Sequence, residues 1–190
     1  MIQSTIGRKM ESTNVVIVKD YINVLPWHVN RRWSTRSLTD IDSIIIHQSA
    51  STGSLKNVNA YHITPSPNNH ISHAGAPHIC YHYVIDRNGI VYNVNSLTSV
   101  VWHCKGQNSN SIGILVLGNF SGPSYNGSQE PTAEQVNSLK KLILAYTNNE
   151  NEEHTKGLVI NKSKVFGHKD FGKENCPGNV LYSFLQDYKS

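Results

Sequence analysis

The segment Val165–Gly178, VFGHKDFGKENCPG, carries two side chains suited to metal binding. His168 and Cys176 stand eight positions apart, joined by a polar stretch rich in Gly, Lys and Asn and closed by Cys-Pro-Gly. A neutral imidazole and a thiolate are good zinc ligands, but two ligands do not make a site. A third candidate lies far upstream, where His47 ends the apolar run Ile44-Ile45-Ile46. Two strand ends and a loop can bring His47, His168 and Cys176 together. Three protein ligands leave one tetrahedral position open to water, which marks a catalytic rather than a structural zinc. Taken singly the signals are weak, because a lone His after a buried strand is usually structural. What lies between the ligands decides their weight.

The elements that must position these residues form one domain. The chain has 190 residues and is 38% hydrophobic, enough for a single full core. Asp42–His47 reads as a short continuous apolar strand, as in a sheet covered on both faces. Gly53–His62 carries Leu55, Val58 and His62 at helical spacing, and Thr64–His78 is a loop with three Pro and three His. Tyr81–Ile85 and Ile90–Val94 flank Asp86-Arg87-Asn88-Gly89, and Asn-Gly between apolar runs predicts a hairpin. Ser111–Phe120 is another buried strand. Thr132 can cap a helix with Gln135 at the capping-box position, and Val136, Leu139, Ile143 and Tyr146 give that helix an apolar face. Ser163–Gly167 is a last strand, leading into His168, and Gly178–Tyr188 a terminal helix. The fold expected is α/β: a single domain with a central mixed β-sheet flanked by helices. Residues 1–24 read as an N-terminal extension, with one added strand possible around 14–18, and 25–190 as the domain. Within it, Leu25–Arg36 is an aromatic and basic segment expected to pack across the domain.

The bulk numbers narrow the partners. A net charge of +4 favours an anionic partner, but no Lys/Arg run resembles a nucleic-acid arm and no apolar segment has transmembrane length. The N-terminus lacks the organisation of an export signal, so synthesis in a cytoplasm without a standard export signal is expected. Three cysteines, Cys80, Cys104 and Cys176, argue against a disulfide framework. With Cys176 on a metal, Cys80 and Cys104 read as buried thiols, or as a bridge if they lie side by side.

Four segments then line up: IIIHQSAS at His47, YHYVIDRNGIVY from Tyr81, WHCKGQNSNSIGILVLGNF from Trp102 and FGHKDFGKENCPG from Phe166. In this order and spacing they resemble the zinc-dependent N-acetylmuramoyl-L-alanine amidases of the type 2 family. That family includes phage lysozyme-type endolysins and animal peptidoglycan recognition proteins. The resemblance covers roughly residues 25 to 188. It implies a sheet with a substrate groove and one zinc on one face. It implies His47, His168 and Cys176 as zinc ligands, Tyr81 beside the metal, His103 lining the substrate groove, and Asn110–Gly113 as the turn into the strand behind the site. One position departs. Many enzymatic members carry Lys or Thr two residues before the last ligand, where this chain has Glu174, with Lys173 one step earlier.

The activity implied is hydrolysis of the amide between N-acetylmuramic acid and L-alanine in bacterial peptidoglycan, by a monomeric phage endolysin acting on the wall after release. The alternative is a peptidoglycan-binding module of the same fold, although members that only bind usually lack the cysteine. A role in regulating a host enzyme has no sequence feature to test it. Tyr81 can hydrogen-bond the attacking water or the developing oxyanion. Lys173 can stabilise the oxyanion, and Glu174 can instead shuttle a proton. His82 should point away from Tyr81 by strand alternation. His62, His70, His73 and His78 read as solvated or groove-lining rather than as a second metal site, and His28 and His154 as surface residues. Trp27 and Trp102 are either core or stacking surfaces for sugar rings.

Overall fold

A computed structural model describes residues 16–122, 127–148 and 153–189. Among them, six strands form one sheet in the order β1-β4-β3-β5-β2-β6. These are β1 Val18–Asp20, β2 Ser43–Gln48, β3 Tyr83–Ile85, β4 Val91–Asn93, β5 Ser111–Val116 and β6 Val165–Gly167. The β3–β4 hairpin is antiparallel and every other pairing is parallel. The expected mixed sheet is therefore present. Part of the segment read as an extension, residues 18–20, forms its edge strand, and residues 1–15 lie outside the described residues.

The continuous apolar runs are explained by two covered faces. Ile44, Ile46, Ile112 and Ile114 point into one layer, against Leu139 and Ile143 of α2 (Ala133–Thr147) and Leu181 and Leu185 of α3 (Asn179–Lys189). On the other face Val84 and Leu115 pack with Ile79 and with Leu55 of α1 (Leu55–Ile63). Each of these isoleucines is fully buried, which contributes about 1.5–3 kcal/mol per side chain. At the hairpin, Gly89 N donates to Asp86 O at 3.0 Å and Gly89 takes φ +76°, the conformation that Asn-Gly foretells.

Helix α2 begins as expected. Thr132 Oγ1 accepts from Gln135 N, and Gln135 Oε1 accepts from Thr132 N, both at 3.1 Å. The buried arc differs from the predicted one: Val136 is half-buried, whereas Gln135, Leu142 and Ala145 are inside. Gln135 can take a core position because its amide also donates to Leu117 O at 2.8 Å. A polar side chain with its hydrogen bonds made is tolerated inside, and hydrophobic periodicity does not register it. His154 also departs from expectation. It is half-buried, with its ring against Tyr83 and Tyr146, whose hydroxyls lie 2.7 Å apart. Cys80 and Cys104 are buried free thiols. No helix among the described residues is long and apolar enough to cross a membrane.

Gln135→Ala removes half of the capping box and leaves the Leu117 carbonyl without its partner. The expected loss is about 2 kcal/mol of stability, read as a lower denaturant midpoint with an unchanged slope. An unchanged midpoint would show that the buried amide contributes nothing net.

Candidate metal centre

Strand register assembles the first two donors. Ile46 pairs with Gly167 in the parallel β2–β6 ladder, so His47 and His168 emerge side by side at the same end of the sheet. Their ring centroids are 4.5 Å apart. After His168 the chain turns, with Asp170 Oδ2 accepting from Gly167 N at 2.9 Å and Asp170 Oδ1 from the Tyr182 hydroxyl at 2.5 Å. The loop then returns: Lys169 N donates to Cys176 O at 2.6 Å, and Cys176 N to Lys173 O at 2.8 Å. The Gln48 amide, at the end of β2, donates to Asn175 O. This leaves Cys176 Sγ 3.7 Å from His47 Nδ1, and the donor atoms of His47, His168 and Cys176 all within 4.8 Å of one another.

These residues fit a tetrahedral zinc. Bond lengths of ~2.0–2.1 Å to nitrogen and ~2.3 Å to sulfur put N and S about 3.6 Å apart, close to the Sγ–Nδ1 separation. His47 is buried, and His168 and Cys176 are half-buried. Burial holds the His47 pKa well below the usual histidine range, helped by His103 and His168. Burial, then Lys173, lowers that of His168 to about 4. Both imidazoles are thus neutral near pH 7, with a lone pair each. Burial raises the Cys176 thiol to about 12, against opposing pulls from a Gln48 backbone hydrogen bond and Lys173. A coordinated cation reverses that preference, since a coordinating thiol is deprotonated.

The centre stands in a groove of about 900 Å³ whose walls include Asn57, Tyr61, Ile71, Trp102 and Lys105. No Asp or Glu is among its described lining residues. The Tyr81 ring lies 5.1 Å from that of His47, and its hydroxyl has no hydrogen-bond partner among the described residues. Burial, then Cys176 and Cys80, raise the Tyr81 pKa well above its usual value. Lys173 lines the groove, whereas Glu174 is exposed and does not. His62 lines it too, but is buried, with Nδ1 accepting from Cys80 N at 3.1 Å. His78 lies under Trp27, ring stacked on ring. His103 reaches the groove with 5% of its surface exposed. Both its nitrogens are engaged within the protein, Nδ1 at 3.0 Å from His47 Nε2 and Nε2 at 3.1 Å from Ser111 Oγ.

Strand alternation misled in one place. β3 starts only at Tyr83, and the chain before it does not keep strand geometry. Tyr83 therefore points into the α2 layer while Tyr81, two residues earlier, packs on the opposite face beside the metal donors. His82, expected to face away from the site, is buried on the site's side, 6.0 Å from the His103 ring, and Gly113 N donates to its Nδ1 at 3.0 Å. Two supporting residues had no sequence signal beyond their type. Gln48 holds the returning loop through Asn175. Arg36 is buried, with its guanidinium donating to Leu97 O, Asn108 O and Ser111 O.

A mixed sheet with helices on both faces and a His–His–Cys group in a groove at one end defines the class of fold. The model of the N-acetylmuramoyl-L-alanine amidase family (Amidase_2) matches residues 37–179, and the chain belongs to that family. Peptidoglycan-recognition protein SC2 of Drosophila simulans is 24% identical over 174 residues, covering 83% of each chain. The amidase LysC from Clostridium intestinale superposes with a TM-score of 0.63 at 22% identity, covering 92% of this chain and 96% of that one. The Ph2119 endolysin from a Thermus scotoductus bacteriophage gives 0.62 at 19% identity, covering 92% and 99%.

Metal analysis of the purified protein should give about one zinc per chain. Cys176→Ser should lose most of it, and full zinc retention in that variant would remove Cys176 from the ligand set.

Proposed function

We propose that this chain is a zinc-dependent N-acetylmuramoyl-L-alanine amidase that cleaves bacterial peptidoglycan as a phage endolysin, acting on the host wall after release. The observation that carries this reading is the complete donor set, His47, His168 and Cys176, beside a tyrosine hydroxyl with no partner among the described residues. A zinc held there would lower the pKa of water and polarise the scissile carbonyl.

The chain's own residues supply the rest. Because burial keeps the Tyr81 phenol protonated, it serves as a hydrogen-bond donor, not a free base. From its place beside His47 it would donate to the oxygen on which negative charge grows. Lys173 brings a positive charge to the same wall, and no carboxylate among the lining residues opposes it. Both features favour an oxyanion over the neutral amide, which is the difference that lowers a barrier. Water adds its oxygen to the carbonyl carbon as the C–N bond breaks, and the departing L-alanine amine takes up a proton. The products are a lactyl carboxylate on muramic acid and a free stem peptide. The net positive charge of the chain suits approach to an anionic wall.

Muropeptide cleavage followed by mass spectrometry, with chelator and with zinc restored, tests this. Activity should vanish with chelator and return with zinc. A zinc-loaded protein that binds muropeptides without cleaving them would instead be a recognition module. Tyr81→Phe should keep its zinc and lose roughly two or more orders of magnitude in rate. Wild-type rates in that variant would exclude the phenol from the reaction. Lys173→Ala should slow cleavage at least tenfold, about 1.4 kcal/mol of barrier, with zinc content unchanged. Glu174→Ala should do much less, and the reverse ranking would assign the loop's role to a carboxylate shuttle.

A further inference from the structure

A line of hydrogen bonds runs along the groove face of β5 and ends on His47. Its direction can be read from one end. The Gln107 carbonyl can only accept, so the Ser111 hydroxyl, 2.6 Å away, donates its single proton to it. Ser111 Oγ then has only lone pairs for its contact with His103 Nε2 at 3.1 Å, so that nitrogen carries the proton. His103 is 5% exposed with no carboxylate in contact among the described residues, so the ring is neutral and its Nδ1 is a lone pair. The 3.0 Å contact from His103 Nδ1 to His47 Nε2 must then be filled by a proton on His47 Nε2. In a neutral His47 this leaves Nδ1 bare, and Nδ1 is the atom that faces Cys176 Sγ at 3.7 Å.

We propose that Ser111 and His103 are positioning residues that fix His47 in the tautomer whose Nδ1 lone pair faces the metal position. The backbone is built for this. An added Cβ at Gly113 would stand 2.6 Å from His103 Cγ, so the ring lies on bare β5 backbone between Ser111 and His47. Arg36 Nη1 donates to both Ser111 O and Asn108 O, at 2.8 and 2.9 Å, tying the loop that carries His103 to the start of β5. His103 lines the groove, as expected, with both ring nitrogens engaged by protein partners. The proposal relies on the zinc reading only for its consequence. The proton positions stand independently.

Long-range proton–nitrogen correlation spectra of the full chain as purified, and again after chelation, would locate the ring protons. His103 should carry its proton on Nε2 in both states, and after chelation His47 should do the same. A proton on Nδ1 of either ring overturns the proposal. Competition with a chromogenic chelator then reads zinc affinity. Ser111→Ala and His103→Ala should each weaken it 10–100-fold, the usual cost of losing a ligand's outer hydrogen bond. His103→Asn should recover most of that loss, because its carbonyl can accept from His47 where Nδ1 did. Packing alone would not produce such a rescue. Wild-type affinity and an unchanged His47 tautomer in Ser111→Ala would also overturn the proposal. A wild-type chain that takes up no zinc would refute the ligand set, while the spectra would still decide the proton relay.

Discussion

Strand β2 is hydrogen-bonded on both sides, through six residue pairs to β5 and three to β6. Its alternate side chains are committed to opposite layers, so a slip of one residue would turn Ile44 and Ile46 out of the core and His47 into it. Burial of those isoleucines thus sets the height at which His47 emerges. The same ladder sets His168 through its pairing with Gly167, and the end of β2 holds the loop carrying Cys176 through Gln48. Three donors from distant parts of the sequence inherit their mutual geometry from one buried strand.

On that frame the groove combines two electrostatic settings. Deep in it, imidazoles are kept neutral and a phenol protonated because burial penalises charge. At its rim stand the exposed Lys105 and Lys173, with no carboxylate among the described lining residues. Neutral donors below and cations above suit a reaction in which negative charge appears on a substrate oxygen. The family assignment and these settings agree, although they come from different observations.

Much of this was legible in the sequence. The apolar runs, the Asn-Gly turn and the Thr132–Gln135 cap marked strands, hairpin and helix because each is a local preference. The candidate metal donors His47, His168 and Cys176 stood out by residue type at the ends of predicted elements, and the order of the four segments between and around them gave that choice its weight. The rest depended on tertiary contacts. Whether Tyr81 and His82 share a face turns on where β3 begins, and no local preference marks that residue. Gln135 inside and Val136 half out depend on a carbonyl supplied by Leu117. Arg36 and Ser111 acquire their roles from partners dozens of positions away or on a neighbouring loop.

The separation of the donors along the chain has a mechanical consequence. His47 and Cys176 are 129 residues apart, and an ion gripping both would close a ring around most of the fold. Such a ring acts as a reversible cross-link, and a folded state that alone binds the ion gains about 2.7 kcal/mol at a free concentration 100 times the dissociation constant. Stripping the ion would loosen the 168–176 loop from β2, leaving hydrogen bonds from Gln48 to Asn175 and to the Cys176 thiol to hold it. The domain's resistance to heat and proteases would then follow the metal supply of its surroundings, so the ion would govern how long the protein lasts.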